Sequence, residues 1–321
     1  MPQPQQPSWN AGADHDPFAA ARAELARRLE AERARQQPAD APPGAALDEV
    51  LAEVADLRPL PQVAQRILGL DEGKFSAHEL AAIISTDQAL TAKLLRLANS
   101  AYYGFARRIT TARDAVVLLG FRSVRGAALT SCLMQTGKSV SNLDYEGFWQ
   151  FSIATGILAE VLARTQGAHQ DEAFTAGVLH QIGLLALDQG RPEQLHRAIL
   201  LHHQSGISMH DAERQVFGFT DAELGGALAL HWNFPEELAA SVRDHAMPLD
   251  TLPDPRSLTA CVLRSRMFVR AYGLPDGVAP ASDPTEAPAE WDHPPLSVAL
   301  KQSGGMAKVM AQVEALVGSL G

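Results

Sequence analysis

The chain has 321 residues, of which 46% are hydrophobic, and its formal net charge at pH 7 is −10. This length is enough to bury one large core or two smaller ones, and the composition is ordinary for a globular protein. A membrane-spanning helix is excluded because no run of about 18 apolar residues occurs, and a cytoplasmic location is expected because the first residues do not form a secretory signal.

The charge is distributed unevenly along the chain. Residues 1–57 carry five basic and ten acidic side chains, residues 58–135 carry ten and five, and residues 136–321 carry twelve and twenty-two. A basic segment in an acidic protein is typical of a surface for an acidic partner or a nucleic acid, or of a segment that neutralises an acidic region across an internal interface. The internal interface is the simpler interpretation, and we favour it.

Apolar residues recur at helical spacing along most of the chain, and alternating runs typical of strands are not found. After a start rich in Pro and Gln, a charged helix is predicted over Phe18–Gln37. The following predicted helices are Leu47–Leu57, Pro61–Leu70, one capped by Ser76 and ending near Ser85, one opened by Asp87, one from Thr111 to Gly120, and Arg122–Thr136.

The second half of the chain continues in the same way. Its predicted helices are Tyr145–Arg164, Asp171–Leu187, Ser208–Val216, one capped by Thr220 and Glu223 and reaching Trp232, one begun by Pro235 and carrying His245, Leu258–Tyr272, and Leu296–Leu320. The pair Gly304-Gly305 is expected to divide the last of these helices. Two cysteines, Cys132 and Cys261, lie in apolar helical surroundings and are expected to be buried thiols, not a disulfide.

The sequence therefore predicts an all-α chain in four segments. Residues 1–46 are a disordered N-terminus with a short charged helix, and residues 47–275 are a helical domain. Residues 276–295 are a Pro-rich loop, and residues 296–321 are a C-terminal helical segment.

Several short motifs resemble one known family. They are Leu60-Pro61-Gln62-Val63-Ala64, the run from Lys93 to Gly104, the step Leu179-His180-Gln181-Ile182-Gly183, and the stretch from Glu213 to Gly225. On these motifs, residues 56–273 resemble the HDOD family, bacterial relatives of the HD-domain metal phosphohydrolases that act in signal transduction. The resemblance implies an HD-like multi-helix bundle of two packed helical halves, 47–137 and 138–275, and a regulatory role.

In the HD hydrolases that the resemblance invokes, His and Asp side chains from several helices hold one or two divalent metals, which activate water and neutralise phosphate charge. His180 and His245 match that pattern, whereas other implied ligands are replaced. Phe151 and Asp221 stand where a His is implied, and Gln181 and the pair Arg264-Ser265 stand where an Asp is implied. A neutral amide in place of a carboxylate removes an attraction of about 8 kcal/mol to a divalent ion at about 4 Å, for an effective dielectric constant near 20.

We therefore predict that His180, Gln181, Asp221, His245 and Phe151 form a vestigial site with no catalytic residue, no metal and no cofactor. The favoured role of His180 is a buried histidine that is hydrogen-bonded to a neighbour such as Asp221. A single-metal site built from His180, Asp221 and His245 is the alternative. The other histidines considered, His196, His202, His203, His210 and His231, are expected on exposed or half-exposed helix faces.

The densest basic cluster consists of Arg107, Arg108, Arg122 and Arg125, with Tyr102 and Tyr103 close by in sequence. These six residues are a candidate partner-binding surface. The alternative, which we favour, is a solvated face over packed tyrosine rings.

The leading functional hypothesis is a non-catalytic HDOD-like regulatory or signal-transduction module that binds a signalling protein, with a nucleotide as an additional ligand to consider. Two alternatives belong to other classes. One is a divergent metal-dependent phosphohydrolase that acts on nucleotides, and the other is a nucleic-acid-binding regulator that uses the basic cluster, which is the least favoured. Membrane insertion is not expected.

Overall fold

The computed structural model describes residues 45–57, 62–68, 77–134, 141–167, 170–232, 234–285, 292 and 295–320. Within these ranges every regular element is helical, which confirms the predicted all-α fold. The helices are α1 Ala45–Leu57, α2 Gln62–Leu68, α3 Ala77–Ile84, α4 Gln88–Ala98, α5 Ala112–Leu119, α6 Phe121–Met134, α7 Tyr145–Gln166, α8 Gln170–Leu179, α9 Ile182–Gly190, α10 Pro192–Ser205, α11 Met209–Phe217, α12 Asp221–His231, α13 Glu236–Arg243, α14 Leu258–Ala271, α15 Leu296–Gln302 and α16 Gly305–Leu320, with a short 3₁₀ turn at Leu249–Thr251.

Side-chain caps define where several helices begin, as the sequence predicts. Thr111 accepts a hydrogen bond from the backbone N–H of Asp114 at the start of α5, and Ser208 does the same for Asp211 at the start of α11. Thr220 and Glu223 form a complete capping box on α12. Each cap pairs a backbone N–H that the helix itself leaves without a partner.

Two predicted helices are wrong in their extent. The prediction Asp171–Leu187 is divided into α8 and α9, with His180 and Gln181 in the turn between them. Likewise, the helix that begins after Pro235 ends at Arg243, so His245 follows α13 and is not carried on it.

The same physical device accounts for both helix ends. The ring nitrogen Nδ1 of His180 donates to the carbonyl oxygen of Gly177 over 2.6 Å, and Nδ1 of His245 donates to the carbonyl oxygen of Val242 over 2.7 Å. Each imidazole therefore pairs a terminal carbonyl that lacks an intrahelical donor. Helix α10 was not among the predicted elements, and the predicted helix Phe18–Gln37 lies outside the described residues.

The helices pack as two groups, which contact each other through α6 and α8 and through the C-terminal segment. Helices α3 to α6 pack on one another, and α7 packs against α8 and α14 in the other group. Helix α16 contacts α4 and α6 in the first group and α7 in the second, and residues 44–321 form one compact unit. Gly304 and Gly305, with φ angles of 107° and 76°, separate α15 from α16 at the predicted break. In the described ranges no helix has both the length and the apolar character needed to cross a bilayer.

Two glycines allow the backbones of neighbouring helices to come into direct contact near the turn at His180-Gln181. A Cβ atom on Gly183, in the first turn of α9, would lie 1.9 Å from the carbonyl oxygen of Asp221 at the start of α12. A Cβ atom on Gly177 in α8 would lie 2.5 Å from the Cα atom of Gly156 in α7. These approaches hold the turn at His180-Gln181 against the N-terminus of α12, where no larger residue would fit.

Candidate functional site

A cavity of about 440 Å³ opens where α11, α12 and the residues after α13 meet α14 and the loop that follows it. Its lining is rich in side chains that titrate, donate or accept hydrogen bonds. They are Gln181, His202, Ser208, His210, Glu213, Asp221, His245, Arg266, Arg270 and Asp276. No other region of the described chain gathers three or more potential metal-binding groups.

Three of these residues form a tight cluster. Their potential ligand atoms, one each from His210, Asp221 and His245, all lie within 4.8 Å of one another. His210 Nε2 is 2.9 Å from Asp221 Oδ1, and the ring centroids of His210 and His245 are 5.7 Å apart. The side chain of His210 is 29% exposed, whereas that of Asp221 is only 5% exposed. The cluster is thus buried on the Asp221 side and open on the His210 side.

His210 is the residue that sequence reasoning missed at this site. Its predicted half-exposed position on a helix face is correct, but it also contacts Asp221. The two residues lie on consecutive helices, α11 and α12, and the turn between them brings them together. No spacing motif marks such a pair, so only the tertiary structure could find it.

His180 is buried and hydrogen-bonded to a neighbour, as expected. The neighbour is the Gly177 carbonyl oxygen, which bonds to Nδ1 of His180, and not Asp221, which is paired with His210. The Nε2 atom of His180 is buried and has no hydrogen-bond partner in the described structure. Burial, together with the charges of His245 and Arg266, holds the pKa of His180 well below its usual value, so the ring is neutral.

The buried acids Asp221 and Glu213 carry different charges. Burial alone would raise the pKa of Asp221, but the hydrogen bond from His210 and the nearby His245 outweigh burial and lower that pKa. Burial and the charge of Asp221 raise the pKa of Glu213 well above its usual value. Two adjacent buried carboxyl groups do not both ionise easily, so the ionised form is favoured at Asp221 and the protonated form at Glu213.

Cationic groups complete the cavity. Arg266, half-buried in the lining, interacts with Asp221, and burial lowers its pKa to about 10, where it is still charged at neutral pH. Burial likewise lowers the pKa of His245 to about 4. Arg270 forms an ion pair with Asp276, whose other oxygen accepts hydrogen bonds from the backbone N–H groups of Val278 and Ala279. This pair closes the loop after α14 over one side of the cavity.

The other residues of the predicted vestigial site are all buried around His180. The rings of Phe151 and His180 have centroids 5.9 Å apart, and those of His180 and His245 are 5.2 Å apart. Gln181 lines the cavity, and its Oε1 atom has no hydrogen-bond partner among the described residues. The structure therefore brings together the five residues that the sequence grouped, and it adds His210 and Glu213 to them.

The predicted basic surface is only partly described. Arg107 and Arg108 are exposed and Arg125 is half-buried, while the side chain of Arg122 lies outside the described part of the structure. The hydroxyl of Tyr102 is 3.1 Å from Gln312 Oε1 on α16, and the ring of Tyr103 stacks on Phe105. The two tyrosines therefore pack internally, and Arg107 and Arg108 remain as the exposed cationic pair.

A two-metal centre of the kind found in HD hydrolases does not fit these residues. Such a centre needs anionic ligands beside and between its ions. Here the turn after α8 offers the neutral amide of Gln181, and the ring beside His180 is the phenyl group of Phe151. The guanidinium of Arg266 acts electrostatically on both His180 and His245. The carboxylates of Asp221 and Asp276 face two guanidinium groups, those of Arg266 and Arg270, in the same lining. This balance leaves too little negative charge for two metals.

Comparisons with known proteins agree with the fold. The model of the HDOD domain family matches residues 57–248. A Treponema pallidum (strain Nichols) relative, "Uncharacterized protein", is 27% identical over 206 residues, which are 61% of this chain but only 40% of the relative. The chain thus spans about two fifths of the length of that relative.

Solved structures show the same architecture. An "HDOD domain protein with unknown function" from Geobacter sulfurreducens has a TM-score of 0.67 and 23% identity, covering 84% of this chain and 98% of that protein. A "Putative phosphohydrolase" from Shewanella amazonensis SB2B has a TM-score of 0.64 and 25% identity, covering 86% and 98%. A "Putative signal transduction protein" from Marinobacter aquaeolei VT8 has a TM-score of 0.67 and 23% identity, covering 97% and 68%.

Proposed function

The chain belongs to the HDOD domain family, and on that premise we propose that it is a regulatory module without catalytic activity of its own, which acts by binding a signalling protein. Family relatives include proteins named for hydrolysis and for signal transduction, so the family alone does not choose between these roles. The charge balance of the cavity favours the second role.

The observation that carries this proposal is the replacement of acidic ligands around His180. Gln181 supplies no charge, Phe151 supplies no ligand atom, and Arg266 adds a positive charge close to both buried histidines. A hydrolytic HD centre depends on metal ions to lower the pKa of water and to neutralise phosphate. Without their anionic ligands that chemistry has no support here.

The experiment that tests the proposal is a hydrolysis assay on the purified full chain. Cyclic and linear dinucleotides and a chromogenic phosphodiester are offered with millimolar Mn²⁺, and the His180→Ala variant is assayed in parallel. We expect equal background rates for both proteins. Turnover that depends on Mn²⁺ and is lost in His180→Ala would overturn the proposal and establish the phosphohydrolase alternative.

For the partner we propose an acidic surface of a signalling protein, bound at Arg107 and Arg108. These two side chains are exposed in the segment 58–135, which has an excess of five positive charges in an acidic chain. Affinity capture from the native host would compare the full chain with the double variant Arg107→Glu, Arg108→Glu. Arg256→Glu, an exposed change in the acidic half, is the matched control. Equal capture by both variants would exclude this surface.

The phosphohydrolase remains the second candidate because one observation favours it. The cavity is large enough for a small phosphorylated ligand and is lined by histidine and arginine side chains beside an ionised aspartate. Concave sites with a few convergent polar groups are typical of ligand binding. The Mn²⁺ assay separates this candidate from the leading one.

A further inference from the structure

We propose that His210, Asp221 and His245 form a binding site for a single Zn²⁺ ion that is distinct from a two-metal hydrolytic centre and has no hydrolytic role. The site uses His210 of α11, a residue outside the predicted vestigial set, and it does not use His180. This inference goes beyond the proposed regulatory function, since a module that binds a partner needs no metal.

The geometry of the three residues is close to that of a zinc site. Zinc takes three protein ligands and one water or ligand, with Zn–N and Zn–O distances of about 2.0–2.2 Å, which place tetrahedral ligand atoms about 3.4 Å apart. The ligand atoms here lie within 4.8 Å of one another, with His210 Nε2 and Asp221 Oδ1 separated by 2.9 Å. A cation would replace the proton between His210 and Asp221, and only small side-chain movements are needed.

The orientation of His245 is already fixed for metal binding. Its Nδ1 atom donates to the carbonyl oxygen of Val242 over 2.7 Å, so the proton resides on Nδ1 and the lone pair on Nε2 is free to coordinate. Metal-binding histidines are typically held in this way, with the second ring nitrogen hydrogen-bonded to a backbone carbonyl. The buried ring therefore loses little freedom when it binds an ion.

An unpaired buried atom in the cavity provides an independent indication of a missing ligand. Within the described structure, Oε1 of Gln181 is buried without a hydrogen-bond partner, and Gln181 lines the same cavity as the cluster. Buried polar atoms are almost always paired, and exceptions commonly mark a place for a water or an ion. A zinc-bound water would supply a donor to this acceptor oxygen.

The charges limit the site to one ion and select its type. Asp221 is the one carboxylate of the cluster, and the guanidinium of Arg266, which lines the same cavity, opposes any second cation. Two imidazoles and one carboxylate are ligands that zinc prefers, whereas Mg²⁺ and Ca²⁺ prefer oxygen ligands throughout. The half-exposed His210 and the cavity leave a path for the ion and an open fourth position.

The test uses the full chain without a histidine tag, stripped of metal with a chelator. Zn²⁺ binding is measured by calorimetry and by elemental analysis after gel filtration, and Co²⁺ is used as a coloured probe of coordination geometry. We expect one Zn²⁺ per chain and a tetrahedral Co²⁺ spectrum. We also expect at least tenfold weaker binding in His210→Ala and in Asp221→Asn.

His203→Ala is the matched control, because His203 is an exposed histidine outside the cluster, next to His202. It should bind Zn²⁺ as the unmodified chain does. If Asp221→Asn does not fold, the Zn²⁺ affinity of His210→Ala tests the proposal alone. His210 is half-exposed, so this variant is expected to fold, and its melting curve by circular dichroism verifies that it does. Substoichiometric Zn²⁺ in the unmodified chain, equal affinity in His210→Ala, or loss only in His203→Ala would each overturn the proposal, and none of these readouts depends on hydrolysis.

Discussion

The side chain of Glu213 accepts a hydrogen bond from the backbone N–H of Asp221 at Oε2, over 3.0 Å, and both carboxyl groups are buried. This contact joins α11 to the first residue of α12. Burial, together with the charge of the neighbouring Asp221, raises the pKa of Glu213 and favours its protonated form. The pair therefore links the stability of the fold to pH.

The first prediction concerns Glu213→Gln, which imitates the protonated acid. Because the pKa of Glu213 is raised in the folded state, its stabilising contribution is present below the unfolded pKa and is lost as pH rises through the folded pKa. As pH rises, the unmodified chain should therefore lose unfolding free energy relative to Glu213→Gln, by at most about 1.4 kcal/mol per pH unit.

This difference is measured by urea unfolding between pH 5 and pH 9 in the presence of a chelator. Taking the difference between the two proteins removes the contribution of His180 and His245, whose lowered pKa values make the fold lose stability as pH falls. Glu213→Ala, which leaves the buried N–H of Asp221 without an acceptor, should cost about 1–3 kcal/mol. A pH-independent difference for Glu213→Gln would contradict the assignment.

The second prediction concerns the contact between α9 and α12. Gly183→Ala would place its Cβ atom 1.9 Å from the carbonyl oxygen of Asp221, so the two helix ends must separate. We expect a loss of about 1–3 kcal/mol in unfolding free energy, the range typical of overpacking. The control is Gly318→Ala at an exposed position of α16, where a Cβ atom meets nothing within 4 Å. That variant should be neutral or gain up to about 1 kcal/mol, and equal effects of the two changes would count against the contact.

The third prediction concerns the reactivity of Cys261. Burial raises the pKa of this thiol to about 12, so the reactive thiolate is nearly absent at pH 8. In a Cys132→Ser background, the native chain should not react with a disulfide reagent over minutes, and one thiol should appear when guanidinium is added. Rapid reaction of the native chain would show that the interior around Cys261 is open.

The fourth prediction concerns Asp188, which ties the segment before α7 to α9. Its carboxylate accepts hydrogen bonds from the hydroxyl of Ser141, the backbone N–H of Asn142 and the hydroxyl of Tyr145, at 2.7, 2.9 and 3.1 Å. Asp188→Ala leaves these donors without their acceptor and should lower the unfolding free energy by about 2–4 kcal/mol. Asp250→Ala, at an exposed position, is the control and should change the melting temperature little.

Local sequence signals predicted much of the fold. Caps such as Thr220 with Glu223 and the break at Gly304 depend on neighbouring residues, so the sequence displays them directly. The helix ends at His180 and His245 depend on buried imidazoles that bond to carbonyls three residues earlier. No glycine or proline marks either end, and apolar periodicity continues across the first, so the prediction extended both helices.

The candidate site could be predicted only where family resemblance supplied the positions. His180, Gln181 and His245 were found in this way, and all three lie together in the structure. The pairing of His210 with Asp221 arises across the turn between the consecutive helices α11 and α12, and no spacing rule encodes it. The charge of Glu213 likewise follows from burial beside Asp221, which a sequence does not reveal.

Helix α16 has a practical consequence for dissecting this protein. Its residues Val309, Val313 and Leu316 are buried, and it contacts helices of both groups, yet it lies outside the stretch 57–248 that matches the family. A fragment limited to residues 57–248 would expose apolar surfaces of α4 and α7 to water and would tend to aggregate. A protein intended for expression should therefore include the chain through Leu320. Insolubility of a shorter fragment would reflect the loss of the packing helix α16 and not an inherently unstable domain.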